Sequence, residues 1–233
     1  MILKPKKIAM VILILSYHNG FAGTMGSTTN NLFHGFYVGG SIGVSDLQDR
    51  AAHSIAPELH HVGGIGITGG GIIGYDFNIL EHFNLGVEGF GNATGLNSDI
   101  LHYDQATGVQ DTSETFNNRY NAGVRVLPGY QYNPTTEGHL IFGFSNASFK
   151  NNDNGTYGYL NSSFNSNGFQ TGMGWKSSVM NPQSLLRLDV LYTRYSGQNS
   201  IGTGLAGSGS AFQYYTDTFS TLEADLSLIY KFS

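Results

Sequence analysis

Hydrophobic and polar residues alternate along the end of the chain, Leu222 to Phe232 (LEADLSLIYKF). Leu222, Ala224, Leu226, Leu228, Tyr230 and Phe232 fall on one side of an extended strand. Thr221, Glu223, Asp225, Ser227 and Lys231 fall on the other, with Ile229 its one apolar member. A period of two marks a strand with one apolar and one polar face. Leu186, Leu188, Val190 and Tyr192 alternate in the same way with Arg187, Asp189 and Thr193. So do Tyr120, Ala122, Val124 and Val126 with Arg119, Asn121, Gly123 and Arg125, and Glu88 stands beside Val87. Charges inside strands thus gather on one face. An apolar face can pack on a soluble core or meet lipid. Arg or Lys on a lipid face costs about 2–4 kcal/mol at the bilayer midplane, so the sorting predicts polar faces inward and apolar faces outward.

Segments of this kind recur between turn signals about eight times. They run from Gly35 to Val44, Gly64 to Asn78, Phe83 to Ala93, Thr115 to Tyr132, His139 to Phe149, Phe164 to Ser178, Leu185 to Tyr195 and Tyr215 to Phe232. Short links at Ile79–His82, Asn133–Gly138 and Met180–Ser184 alternate with long polar links at Ser45–Gly63, Thr94–Glu114, Lys150–Ser163 and Ser196–Tyr214. Short turns at one end and long loops at the other, with an even number of strands, predict an all-β, antiparallel, up-and-down transmembrane barrel. The short turns then lie in the periplasm and the long loops outside the cell.

Composition agrees with a barrel. Glycine at 33 of 233 residues together with 13% aromatic side chains suits curved strands ringed by aromatic girdles. Trp175, Tyr130, Tyr132, Tyr192, Tyr195 and Tyr230 are expected in those girdles, and Gly69–Gly71 is expected to bend its strand. Residues 1–22 read as a signal peptide: Lys4, Lys6 and Lys7 precede the apolar run Ile8–Leu15, with small residues at Gly20 and Ala22. That run is far shorter than the roughly 20 residues of a spanning helix. Residues 23–34 are expected to be a flexible periplasmic lead-in, and residues 35–233 the barrel domain. Taking the signal's three lysines from the 11 basic side chains leaves 8 against 16 acids, a net charge of −8. This argues against a nucleic-acid partner, which needs clustered Lys and Arg. The absence of cysteine removes disulfides, a thiol nucleophile and a lipid-anchored N-terminus.

The first strand FYVGGSIGVSDL (Phe36–Leu47), the glycine-broken second strand ending GYDFN (Gly74–Asn78) and the aromatic end IYKF (Ile229–Phe232) carry a resemblance. The chain resembles the small outer-membrane β-barrel proteins of Gram-negative bacteria, the OmpX/OmpA-barrel and opacity-protein-like superfamily. The resemblance implies outer-membrane lipid and lipopolysaccharide as surroundings, and delivery by the barrel-assembly machinery. It also implies that Tyr230 and Phe232 form the terminal aromatic signal read by that machinery; here Ser233 follows Phe232. The superfamily holds adhesins and structural anchors, so it implies an architecture more than an activity.

Candidate chemistry lies first in the barrel interior. Glu88, Asp189, Glu223 and Asp225 are expected to meet Arg119, Arg125, Arg187 and Lys231 there, either as a paired network filling a narrow barrel or as the lining of an ion path. No nucleophile–base–orienter set emerges, so no catalytic residue, metal ligand or cofactor is assigned. His53, His60 and His61 read as exposed loop histidines, and His34, His82 and His139 as residues near the periplasmic edge. The loops are rich in Asn, Ser, Gly, Thr and Tyr, an adaptable binding composition. The functional expectation is a structural or adhesin-like surface role toward a host or envelope ligand. A narrow solute channel is the alternative, and a lipid-A-modifying enzyme is third.

Overall fold

The computed structural model describes residues 32–53, 60–103, 110–155, 158–179, 181–202 and 213–232. The expected signal and residues 23–31 of the expected lead-in lie outside the described residues. The described chain forms strands β1 (Gly35–His53), β2 (His60–Leu80), β3 (Phe83–Tyr103), β4 (Gln110–Asn133), β5 (Thr136–Gly155), β6 (Gly158–Ser178), β7 (Ser184–Tyr195), β8 (Gln198–Gly202) and β9 (Gln213–Lys231).

Antiparallel pairing runs from β1 through β7, then to β9, and β9 pairs back with β1 so that the sheet closes. β7 and β8 both lie on the same edge of β9: Ser184–Arg194 pair with residues 220–230, and Gln198–Gly202 with Gln213–Asp217. They are one stave broken at Ser196–Gly197, and Ser196 N–H still donates to the Asn167 carbonyl at 2.7 Å. The cylinder therefore has eight staves, as the alternation predicted.

Facing follows the pattern read from the sequence. On β9, Leu222, Leu226, Leu228 and Tyr230 are exposed outward, while Thr221, Glu223, Asp225, Ser227, Ile229 and Lys231 are buried inward. The short turns lie where expected. At one, Asn133 Oδ1 accepts from Thr135 N–H at 2.9 Å; at another, Asn181 Oδ1 accepts from Gln183 and Ser184 N–H at 3.0 and 2.8 Å. Side chains of this type bend the backbone by standing in for a main-chain acceptor.

The long connections differ from expectation in kind. Much of their length is strand: β5 and β6 stay in register as far as Gly155↔Gly158, and β3 and β4 remain paired, with two register shifts, as far as Tyr103↔Gln110. A spanning strand needs about 9–11 residues, yet β1–β6 and β9 run for 19 to 24. Polar sequence on both faces hides such extensions from a periodicity reading, whereas backbone ladders need no apolar face to continue.

Apolar clusters occupy both ends of the interior. At the turn end Phe33, Tyr37, Ile72, Phe90, Leu185 and Ile229 pack together, with Leu32 against them. Phe33 belongs to the stretch expected to be flexible, yet it is fully buried, and Lys231 Nζ donates to the Leu32 carbonyl at 2.9 Å. Toward the other end Leu47, Leu96, Ala147, Phe149, Tyr195 and Phe219 form a second cluster, with the Phe149 ring 4.9 Å from Phe219 and 5.3 Å from Tyr195. Tyr195 thus plugs the interior instead of joining a girdle. Its odd-numbered place beside Thr193 and Asp189 on β7 required that. Tyr130, Tyr132 and Trp175 do form an outward aromatic row near the turns, with centroids 5.3 and 6.0 Å apart.

Candidate functional site

Between the two apolar clusters lies a buried ionic network, built by side chains that alternate inward from most of the staves. Glu88 on β3 is its centre. Arg187 on β7 grips it with Nη1 at 2.6 Å from Oε2 and Nη2 at 3.1 Å from Oε1, a two-pronged geometry that suits guanidinium and carboxylate. Tyr37 Oη donates to the same carboxylate at 3.0 Å, and Arg125 Nη1 on β4 lies 3.5 Å from it. Arg187 Nε is also 2.8 Å from Asp189 Oδ2, a close ion pair whose angle falls outside hydrogen-bonding range. Arg125 Nε donates to Gln170 Oε1 at 2.6 Å, and its guanidinium sits 3.8 Å above the Phe90 ring. Gln170 Nε2 passes the chain on to Thr193 Oγ1 at 3.1 Å.

A second group lies closer to the turns. Lys176 on β6 bridges Asp76 on β2 and Glu137 on β5 at 2.9 and 3.0 Å, and Lys231 lies 3.7 Å from Asp76. Asn84 Nδ2 donates to Glu137 at 2.5 Å. Asp76, Glu137 and Lys176 sit on inward positions within predicted strands or beside them, so continuing the alternation through each strand would have found them. His139 is the other omission. It lies on β5 near the turn end, as expected, but it is buried, with Nε2 3.0 Å from Asp189 Oδ1. Gly174 makes the room: a Cβ there would strike both His139 and Asp189. Gly74 serves Tyr37 likewise, since its ring lies where a side chain would be.

The expected interior set is thus only partly one group. Glu88, Arg125, Arg187 and Asp189 come together, and Lys231 joins the Asp76–Lys176–Glu137 group. Glu223 and Asp225 are buried further along β9, where Asp225 accepts from Thr68 Oγ1 at 3.2 Å. Arg119 is not in the interior. The pairing of β4 with β5 shifts between Asn118 and Tyr120, and both Arg119 and Tyr120 are exposed between the buried Asn118 and Asn121. This β-bulge inserts one residue and so breaks the two-residue period that had placed Arg119 with Arg125.

Chemically the network neutralises charge and fills space; it offers no open donor set. Among the described residues no group of three or more His, Asp or Glu is arranged to hold a metal ion. The side chains of His53, His60 and His61, and the lengths 104–109 and 203–212 of the long links, lie outside what is described. Tyr230 and Phe232 are exposed at the turn end, with rings 5.2 Å apart and Phe232 5.5 Å from Phe36.

Comparison with known proteins follows the same lines. Among solved structures the chain is similar to the outer-membrane protease OmpT of Escherichia coli, at 9% identity and a TM-score of 0.50, over 90% of this chain and 99% of that one. It is also similar to the attachment invasion locus protein Ail of Yersinia pestis (14% identity, TM-score 0.34, 81% and 97% covered). Neisserial surface protein A is a third (14% identity, TM-score 0.41, 84% and 97% covered). Identities this low speak to fold alone. No curated protein matches the sequence. The family model described as the outer membrane protein beta-barrel domain matches residues 20–232, and the chain belongs to that family and to the cell outer membrane.

Proposed function

We propose that this member of the outer membrane protein beta-barrel domain family is a non-catalytic surface protein that meets an external ligand through its protruding hairpins. One observation carries the reading: the strands continue far beyond the membrane. On β4 the outward apolar row runs from Tyr130 to Tyr120, the length of a spanning strand, and ten further residues lead to Gln110. At about 3.3 Å per residue and a tilt near 40°, those ten residues rise on the order of 25 Å above the bilayer. Backbone pairing makes each hairpin a semi-rigid post, which lowers the ordering cost of binding. The composition along Lys150–Ser163 (KNNDNGTYGYLNSS) supplies amides, hydroxyls and tyrosines for adaptable contacts. The interior favours a scaffold over a catalyst, because His139 and Asp189 are sealed within an ion network and ringed by packed side chains.

Cells displaying the protein are expected to bind a matrix- or host-surface array, and cells displaying a barrel trimmed between Lys150 and Ser163 and between Asp99 and Thr115 are expected to lose that binding. Equal binding by both, at equal surface levels, overturns the proposal.

A further inference from the structure

Charge does not balance inside the barrel. Near the turns the buried acids Asp76 and Glu137 are matched by Lys176 and Lys231. In the middle Glu88 and Asp189 are matched by Arg125 and Arg187. Among the described residues Glu223 and Asp225 are then left over, 2% and 3% exposed, and a protonated His139 would offset only one of them. Their carboxylates lie side by side on β9. Arg125 is within electrostatic reach of both, yet its close contacts go to Glu88 and Gln170. Buried ionised groups persist only with a counter-charge at hand.

Neutral oxygens surround the pair. Thr68 Oγ1 donates to Asp225 Oδ1 at 3.2 Å and faces Glu223 as well. The Tyr195 hydroxyl is directed at Ser145, Thr221 and Asn121, with Glu223 beyond them. Asn92 stands opposite Asn121 on the adjoining strand, so the two amides enter the interior together. Yet Asn92 Oδ1, Asn121 Oδ1, Ser145 Oγ, Thr221 Oγ1 and Glu223 Oε1 have no hydrogen-bond partner within the protein. Each of these residues is 4% exposed or less. Buried polar atoms are normally satisfied, and orphaned oxygens gathered in one chamber call for an electropositive partner. The backbone makes room for them: a Cβ at Gly43 would strike Asp225 Oδ1, and one at Gly70 would strike Asn92 Oδ1.

The donor chemistry selects the occupant. Carboxylate, amide and hydroxyl oxygens suit a hard cation, whereas zinc favours Cys and His. Two unmatched carboxylates call for a charge of two. An irregular ring of oxygens suits calcium, which takes about six to eight of them, better than magnesium, which demands a strict octahedron. We propose that this chamber holds one calcium-class divalent cation, with Glu223 and Asp225 as its charged ligands and Asn92 and Asn121 as its amide-oxygen ligands. The ion ties β9 to β3 and β4 across the barrel. The Glu88 network lies on one side of it and the apolar cluster around Phe149 and Phe219 on the other, so the ion enters as the barrel closes. The site lies outside that network and is independent of the hairpin reading above.

The test uses the processed full-length protein, refolded in detergent micelles over a series of Ca2+ concentrations or with Tb3+ as a luminescent substitute. Native mass spectrometry counts the retained ions, thermal unfolding reads their effect, and tyrosine-sensitised emission reads how near Tb3+ lies to Tyr195. Wild type is expected to retain one ion per chain and to unfold at a higher temperature than protein refolded in chelator. Glu223→Gln and Asp225→Asn are each expected to raise the half-saturating Ca2+ concentration about a hundredfold, and Asn121→Ala about tenfold. Glu81→Gln, which removes an exposed acid in a turn, is expected to leave it unchanged. Tyr195→Phe is expected to lose the sensitised emission. Equal binding by wild type and by the variant carrying both Glu223→Gln and Asp225→Asn overturns the proposal, and so does undiminished emission from Tyr195→Phe. If the acid variants do not refold, wild type decides alone. An unfolding temperature that is the same in Ca2+ and in chelator overturns the proposal and assigns the balancing charge to protons on Glu223 and Asp225.

Discussion

Three arginines on one side of the chain's alternation occupy three different environments. Arg187 is fully buried and serves two carboxylates, Glu88 and Asp189. Removing it leaves two buried acids without their nearest cation, a loss that costs about 3–5 kcal/mol in comparable pairs. Arg125 is also buried, but its ion pair is longer at 3.5 Å and its best hydrogen bond goes to the neutral Gln170. A loss of about 1–3 kcal/mol is expected there. Arg119 is exposed at a bulge, and surface substitutions change stability by about 0.5 kcal/mol or less. Denaturant unfolding of the refolded Arg187→Ala, Arg125→Ala and Arg119→Ala proteins should therefore rank them in that order of damage. An Arg119 variant as damaging as Arg187→Ala would return Arg119 to the interior and refute the bulge.

At the scale of the element, that bulge decides what β4 presents. Asn118 and Asn121 both face inward, and the two residues between them both face out. Deleting Arg119 leaves a single outward residue between two inward ones, so facing is preserved on both sides of the deletion. Deleting Val124 instead shifts the rest of the strand by one and turns Asn118 and Asn121 toward lipid. Refolding into vesicles, followed by protease protection, is expected to succeed for the first deletion and to fail for the second. If both fold equally well, register in this strand is not pinned by the facing of its side chains. The broken stave of β7 and β8 follows the same logic, since β9 continues unbroken and offers its edge to each in turn.

For the whole molecule, closure and filling bear on what crosses it. β1 meets β9 over a ladder from Tyr37↔Lys231 to His53↔Tyr215, so no open edge remains along that seam. Eight strands leave an interior just wide enough for side chains. Here Phe33 and its neighbours fill one end, the ion network fills the middle, and the stacked rings of Phe149 and Phe219 fill the other. The refolded protein is accordingly expected to show no steady conductance in a planar bilayer. Stable openings by the intact protein would restore the reading of a narrow channel.

Period-two alternation was enough to locate eight staves, though not their full length, and to set the inward choice of Glu88, Arg125, Arg187, Asp189, Glu223, Asp225 and Lys231, because facing is a property of each strand by itself. Which inward groups meet was decided only in three dimensions. Lys176 finds Asp76 across 100 residues, and His139 finds Asp189 across 50. Those partnerships depend on the stagger of non-adjacent staves, which no local pattern records. The same holds for Arg119, whose outward turn comes from mismatched lengths of neighbouring strands, and for Phe33, which is held by the mouth of the closed cylinder.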